Sequence, residues 1–127
     1  MNKAIKNRYG IKFENVIVER GQFGKEIHKV VDVNIFSLGV FLMCWIKPDK
    51  IDQRLLPDIY DVLNGVSGLR ENGSPTIQIE ITRTETVFYD NRAGYDWPRI
   101  PTTDFKEIIE AWRNFLLEPP LDRSEVD

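Results

Sequence analysis

The end of the chain constrains its fold most. Phe105, Ile108, Ile109, Trp112, Phe115 and Leu116 recur at three- and four-residue spacing. That spacing places them on one stripe of a single amphipathic helix. Pro101 fixes the approach to it, Thr103 or Asp104 can cap it, and Asp104 with Glu107 has the spacing of a capping box. Pro119 and Pro120 cannot continue it. A stripe with this much aromatic surface needs an apolar face to cover, and the sequence before it reads mostly as strands.

Those strands are legible from alternation and β-branched content. Ile11 and Phe13 alternate with charged residues and run into Val16-Ile-Val18, the first strand. Gly21-Gln-Phe-Gly24 reads as a turn, and residues 26–36 as a second strand rich in valine and isoleucine. Residues 40–46 are apolar throughout and read as a third, central strand. Pro57 can start a short helix in the ambiguous stretch 51–69. Arg70-Glu-Asn-Gly-Ser-Pro75 carries loop and turn chemistry. Residues 76–82 alternate cleanly, with Ile77, Ile79 and Ile81 on one side, and residues 86–89 form a fifth strand before a turn at 91–94. The expected architecture is α+β: a mainly antiparallel sheet of about five strands with the C-terminal helix packed on one face. Residues 1–127 read as a single domain whose ends, 1–8 and 120–127, are flexible. The expected core is Phe13, Val16, Val18, Val31, Val33, Phe41, Met43, Trp45, Ile77, Ile79, Ile81, Ile108, Ile109 and Trp112.

Composition excludes some functions. A chain of 127 residues can bury a core without metal or disulfide staples. Seventeen basic against twenty acidic side chains give a net charge of −3, so general binding to a phosphate backbone is not expected. The longest apolar run, seven residues at 40–46, is far short of the ~20 needed to span a membrane. The N-terminal residues lack the apolar region of a secretory signal, so a cytoplasmic location is expected.

Catalytic patterns are sparse. His28 is the only histidine, which excludes multi-histidine metal sites, and it reads as a strand residue rather than a general base. Cys44 is the only cysteine and reads as a small buried hydrophobe. No glycine loop has phosphate-binding spacing, and Asp49, Asp52, Asp58 and Asp61 lack a calcium-loop pattern. No catalytic residue, cofactor or metal is therefore expected.

One stretch does carry recognition chemistry. Residues 89–97 hold Tyr89, Asp90, Arg92, Tyr95, Asp96 and Trp97, and Tyr, Trp and Arg dominate protein-interface hot spots. These six are the candidate partner-binding residues. The bland alternative is that Tyr95 and Trp97 merely anchor the loop over the last helix. Interleaved acidic groups argue against nucleic acid there.

A strand-rich acidic chain that closes with Ile100-Pro-Thr-Thr-Asp-Phe-Lys-Glu-Ile-Ile-Glu-Ala-Trp-Arg-Asn-Phe-Leu117 resembles small bacterial immunity proteins, the antidotes of polymorphic and contact-dependent growth-inhibition toxins. The resemblance lies mainly in the final third. It implies a non-enzymatic protein that neutralises a cognate toxin domain, for example a nuclease, by direct contact. Two alternatives are a structural or assembly subunit of a bacterial or phage complex, and a small-ligand-binding α+β domain with a pocket near Tyr60, Glu80 and Tyr89.

Overall fold

The computed structural model describes residues 1–90 and 97–119. The chain runs α1 (Lys3–Tyr9), β1 (Lys12–Glu19), a 3-10 turn (Gly21–Phe23) and β2 (Lys25–Asp32). Then follow α2 (Phe36–Cys44), α3 (Pro48–Lys50), a π-helical segment (Ile51–Leu55) and α4 (Leu56–Leu63). The last elements are β3 (Leu69–Gly73), β4 (Gln78–Thr82), β5 (Glu85–Tyr89), β6 (Arg99–Pro101) and α5 (Thr102–Leu117). The class is α+β, with all pairings antiparallel, but the strands form two sheets rather than one: a β1–β2 hairpin and a meander of order β3-β4-β5-β6.

Each sheet offers α5 an apolar face. In the meander, Ile79 lies opposite Phe88, and Ile81 opposite Thr86, which in turn faces Ile100. All five are buried, together with Phe105, Ile108 and Ile109 of α5. Two hydroxyls pin the start of α5 to this sheet: Thr102 Oγ1 donates to the Thr82 carbonyl at 2.6 Å and lies 3.0 Å from Thr86 Oγ1. In the hairpin, Phe13 packs against Trp112 and Phe115, with ring centroids 5.3 and 5.4 Å apart. Lys29, on the same face, donates to the Phe115 carbonyl at 2.8 Å and sits 4.2 Å above that ring.

The largest departure from the sequence reading is α2. A third strand was expected at 40–46, yet residues 36–44 are helical. Ser37, Leu38, Phe41, Leu42 and Trp45 are the buried positions, at helical spacing. That period is hidden because Phe36, Val40 and Met43 on the other side are also apolar, and a short apolar run does not reveal its own period. As a consequence Met43, expected in the core, is exposed, and so is Cys44. Gly39 lets this helix approach the chain closely, since a Cβ there would stand 3.0 Å from Val33 Cγ1.

The stretch 48–63 is helical throughout, changing from α to π to α. Pro57 explains the π turn. It has no N–H, and its ring would collide with the carbonyl four residues back, so the helix widens ahead of it. Leu56 N–H accordingly bonds to the Ile51 carbonyl, five residues back. Residues 70–73 of the expected loop 70–75 belong instead to β3, and the tight turn lies just after it, where Ser74 N–H bonds to the Ile77 carbonyl at 2.7 Å.

Two expectations for the terminal helices are also revised. Residues 1–8 were expected to be flexible, yet 3–8 belong to α1, which the Asn2 side chain caps and Gly10 ends at φ +59°. Ile5 and Tyr9 are buried by it. The capping box expected at α5 is not made: among the described residues no side chain caps that helix, and Asp104 instead holds α1. Its Oδ2 accepts the Tyr9 hydroxyl at 2.6 Å and Arg8 Nη1 at 2.8 Å. Val16 and Val18 lie on the hairpin face opposite Phe13 and are only half-buried.

Burial, and then the Asp104 carboxylate, push the Tyr9 pKa up to about 12. Below pH ~10 the tyrosine is protonated in folded and unfolded chains alike, and its contribution is complete. Between pH ~10 and 12 only the unfolded chain releases the proton, so stability falls as pH rises, by at most ~1.4 kcal/mol per unit from this group. Tyr9→Phe should lower the plateau stability and flatten that alkaline fall in urea titrations from pH 9 to 12. An unchanged slope would contradict the assignment.

Candidate functional site

Of the six residues expected to bind a partner, the structure describes three: Tyr89 and Trp97 meet, and Asp90 is buried away from them. Arg92, Tyr95 and Asp96 lie outside the described residues. Asp90 is only 1% exposed and accepts the Ser37 hydroxyl at 3.0 Å. Ser37 belongs to the first turn of α2, so this carboxylate sits where a helix favours negative charge. Asp90 is therefore a structural group that ties the end of β5 to α2, and not a surface contact. Asp90→Ala should cost about 1–3 kcal/mol in urea unfolding, because it strands a buried hydroxyl. A change of a few tenths would contradict this role.

Tyr89 and Trp97 lie on the outer side of the meander. Their rings meet edge-on, centroids 4.6 Å apart. The Tyr89 hydroxyl donates to Glu80 Oε2 at 2.8 Å, and this bond raises its pKa. Both are half-buried, and the indole N–H of Trp97 is buried without a partner among the described residues. The ligand pocket expected around Tyr60, Glu80 and Tyr89 does not assemble, because Tyr60 faces a different cleft.

That cleft, about 510 Å³, lies between α4 and α5 and is lined by Leu56, Pro57, Tyr60, Glu110 and Arg113, among others. Tyr60 donates to Glu110 Oε2 at 2.9 Å, and burial raises its pKa. Arg113 grips both oxygens of Asp52 at 2.9 Å. Its polar groups thus satisfy one another. His28 lies 3.1 Å from Glu26 on the exposed hairpin. Among the described residues, no group of three or more His, Cys, Asp or Glu is placed to hold a metal ion.

The surface that stands out was not singled out by the sequence reading. Helix α2 carries no charged residue, yet only one side of it is buried. Its outward side presents Phe36, 68% exposed, and Met43, 40% exposed, and Ile46 follows at 53%. Two shallow depressions meet at Met43. One, about 350 Å³, is walled by Val31, Val33, Phe36, Gly39 and Val40; the other, about 430 Å³, by Ile27, Lys29, Ile46 and Leu116. Together they make a groove between the hairpin, α2 and the end of α5. At the hairpin tip Phe23 is 79% exposed. The available signal was Phe36, Val40 and Met43 at helical spacing, which the strand reading obscured.

In comparisons with family models, curated proteins and solved structures, the chain matches none. Among the described residues, no helix is long and apolar enough to cross a membrane.

Proposed function

We propose that the protein is a cytoplasmic immunity protein that neutralises a cognate bacterial toxin domain by direct contact. The observation that supports this best is the uncharged helix α2, whose outward side leaves large apolar side chains in water. A helix apolar all round is ordinarily covered on every side. Exposed apolar patches rimmed by polar groups mark interaction sites. The acidic balance of the chain favours a basic partner, such as a nuclease domain, through steering and complementarity. The interface belongs to the α2 groove on this reading.

Co-expression with the product of the adjacent reading frame tests the proposal. Restored growth, with both proteins recovered in one stoichiometric complex, is the expected result. Continued killing, or rescue without a complex, would overturn it. A second reading, small-ligand binding, draws on the α4–α5 cleft. A thermal-shift screen against metabolites separates the two, since a ligand at 100 times its Kd adds ~2.7 kcal/mol.

A further inference from the structure

We propose that the protein pairs with a second copy of itself through the outer edge of β1, antiparallel about Ile17, with Phe23 of each copy seated in a depression of the other. The hairpin leaves that edge open. Arg20 N–H donates to the Gly24 carbonyl at 2.7 Å, and these two residues continue the β1–β2 register. Hydrogen-bonded pairs alternate along an antiparallel ladder, so the even-numbered residues of β1 are the ones bonded to β2. The N–H and C=O groups of Phe13, Asn15, Ile17 and Glu19 therefore point away from β2, and no backbone group among the described residues pairs with them. β1 carries neither a proline nor a bulge to blunt this edge. A sheet of two strands is marginal alone, and two hairpins joined here make a sheet of four.

Side chains select the register. With the two-fold axis at Ile17, the two copies of Ile17 exchange backbone hydrogen bonds, and so do Asn15 and Glu19 across the axis. Val16 then lies opposite Val18, and Glu14 opposite Arg20, so apolar meets apolar and acid meets base. Moving the axis one residue either way sets Val18 against Glu14, or Val16 against Arg20. The outer edge of β2 offers no equivalent. An axis at Ile27 or Lys29 opposes Lys25 to Lys29 or Glu26 to Asp32, and one at His28 opposes Ile27 to Lys29. Glu14 and Arg20 each have an exposed partner in their own chain, Lys12 at 2.9 Å and Glu26 at 3.2 Å, so exchanging partners fixes register more than affinity.

Phe23 identifies the partner as a second copy. It stands 79% exposed at the hairpin tip. Pairing about Ile17 brings it level with Ile11 of the other chain. A depression of about 380 Å³ opens there, lined by Ile11, Phe13, Ala111 and Phe115 among others and by no residue of β2, which places it on the β1 side. An exposed aromatic ring and a hollow with apolar walls thus meet twice about one axis. The paired stretch 14–20 belongs to the distal part of the hairpin, and residues 19–26 are exposed throughout, so the two copies lie side by side with their helices at opposite ends. The α2 groove lies on the β2 side and stays open, so this dimer stands apart from the inhibitor reading.

Sedimentation velocity of the full chain from ~1 to ~300 µM should show a reversible dimer. Phe23→Asp should weaken it at least ~10-fold, whereas Met43→Glu on α2 should leave it unchanged. In a Cys44→Ser background, Ile17→Cys should give a disulfide-linked dimer under mild oxidation, because directly opposed strand residues bring their Cα atoms within disulfide reach. Ile27→Cys on β2 should not. The Phe23 side chain is exposed, so an unchanged urea midpoint at low concentration is the folding control for its variant. A monomer across the whole range would overturn the proposal. So would a dimer indifferent to Phe23→Asp, or cross-linking through Ile27→Cys in place of Ile17→Cys. Toxin capture lost in Phe23→Asp from a parent chain that sediments as a monomer would assign the edge to the toxin and overturn it as well. Loss of the dimer with capture retained is the expected combination, and it leaves the inhibitor reading untouched.

Discussion

Trp112→Ala is expected to unfold the protein at 37 °C or to lower its stability by about 3–5 kcal/mol at 25 °C. Trp112 is fully buried and lies within 5.3 Å of the Phe13 ring and 5.9 Å of the Phe115 ring, between centroids. Its indole N–H donates to the Trp45 carbonyl at 2.8 Å. One side chain therefore joins the hairpin, the segment after α2 and α5. Truncating it opens a cavity at that junction and leaves the Trp45 carbonyl without its donor. Domains of this size are stable by only ~5–15 kcal/mol, so the loss is a large fraction of the whole. Urea unfolding followed by near-ultraviolet circular dichroism measures it. Trp112→Phe keeps most of the ring volume and should cost clearly less. A loss below ~1 kcal/mol for alanine would place Trp112 outside the core.

Asp104→Ala is expected to cost about 2–3 kcal/mol, by a different route. The removed carboxylate is the acceptor for the Tyr9 hydroxyl, which is buried, and for Arg8, which is largely exposed. The stranded hydroxyl accounts for most of the effect, because an ion pair with an exposed partner contributes little. The damage should be local. Amide exchange in residues 3–9 should accelerate before that of β4 or β5, since α1 is held to α5 through Asp104. Tyr9→Phe in the Asp104→Ala background should cost less than Tyr9→Phe alone, the two groups being coupled. Additive losses would mean that each is held by something else.

Legibility in the sequence followed how one-sided each element is. The last helix and the 76–82 strand have a single apolar face, so their period survives in the sequence and the structure keeps both. Ile77, Ile79 and Ile81 are buried where alternation put them, and α5 buries Phe105, Ile108, Ile109 and Trp112. Helix α2 is apolar on both sides, which removes the period, and seven apolar residues in a row suit a buried strand as well as a helix. The π segment was illegible for another reason: it answers Pro57 from within a helix that tertiary packing sustains, with Ile51, Leu55 and Ile59 fully buried. Asp104 and Asp90 were misplaced because sequence shows a carboxylate but not its distant partner. Asp104 meets Tyr9 across 95 positions, and Asp90 meets Ser37 across 53. The apolar groove escaped for the same cause as α2, since a residue read as the inside of a sheet is not read as surface.

Inhibition of a single protein partner is the proposed function. The most direct test is a calorimetric titration of the purified chain into the purified toxin domain encoded beside it, with the toxin's activity assayed on the same samples. The expected result is a one-to-one complex, activity abolished at equivalence, and weaker binding in high salt and in Met43→Glu. No heat of binding and undiminished toxin activity at excess of the chain would contradict it.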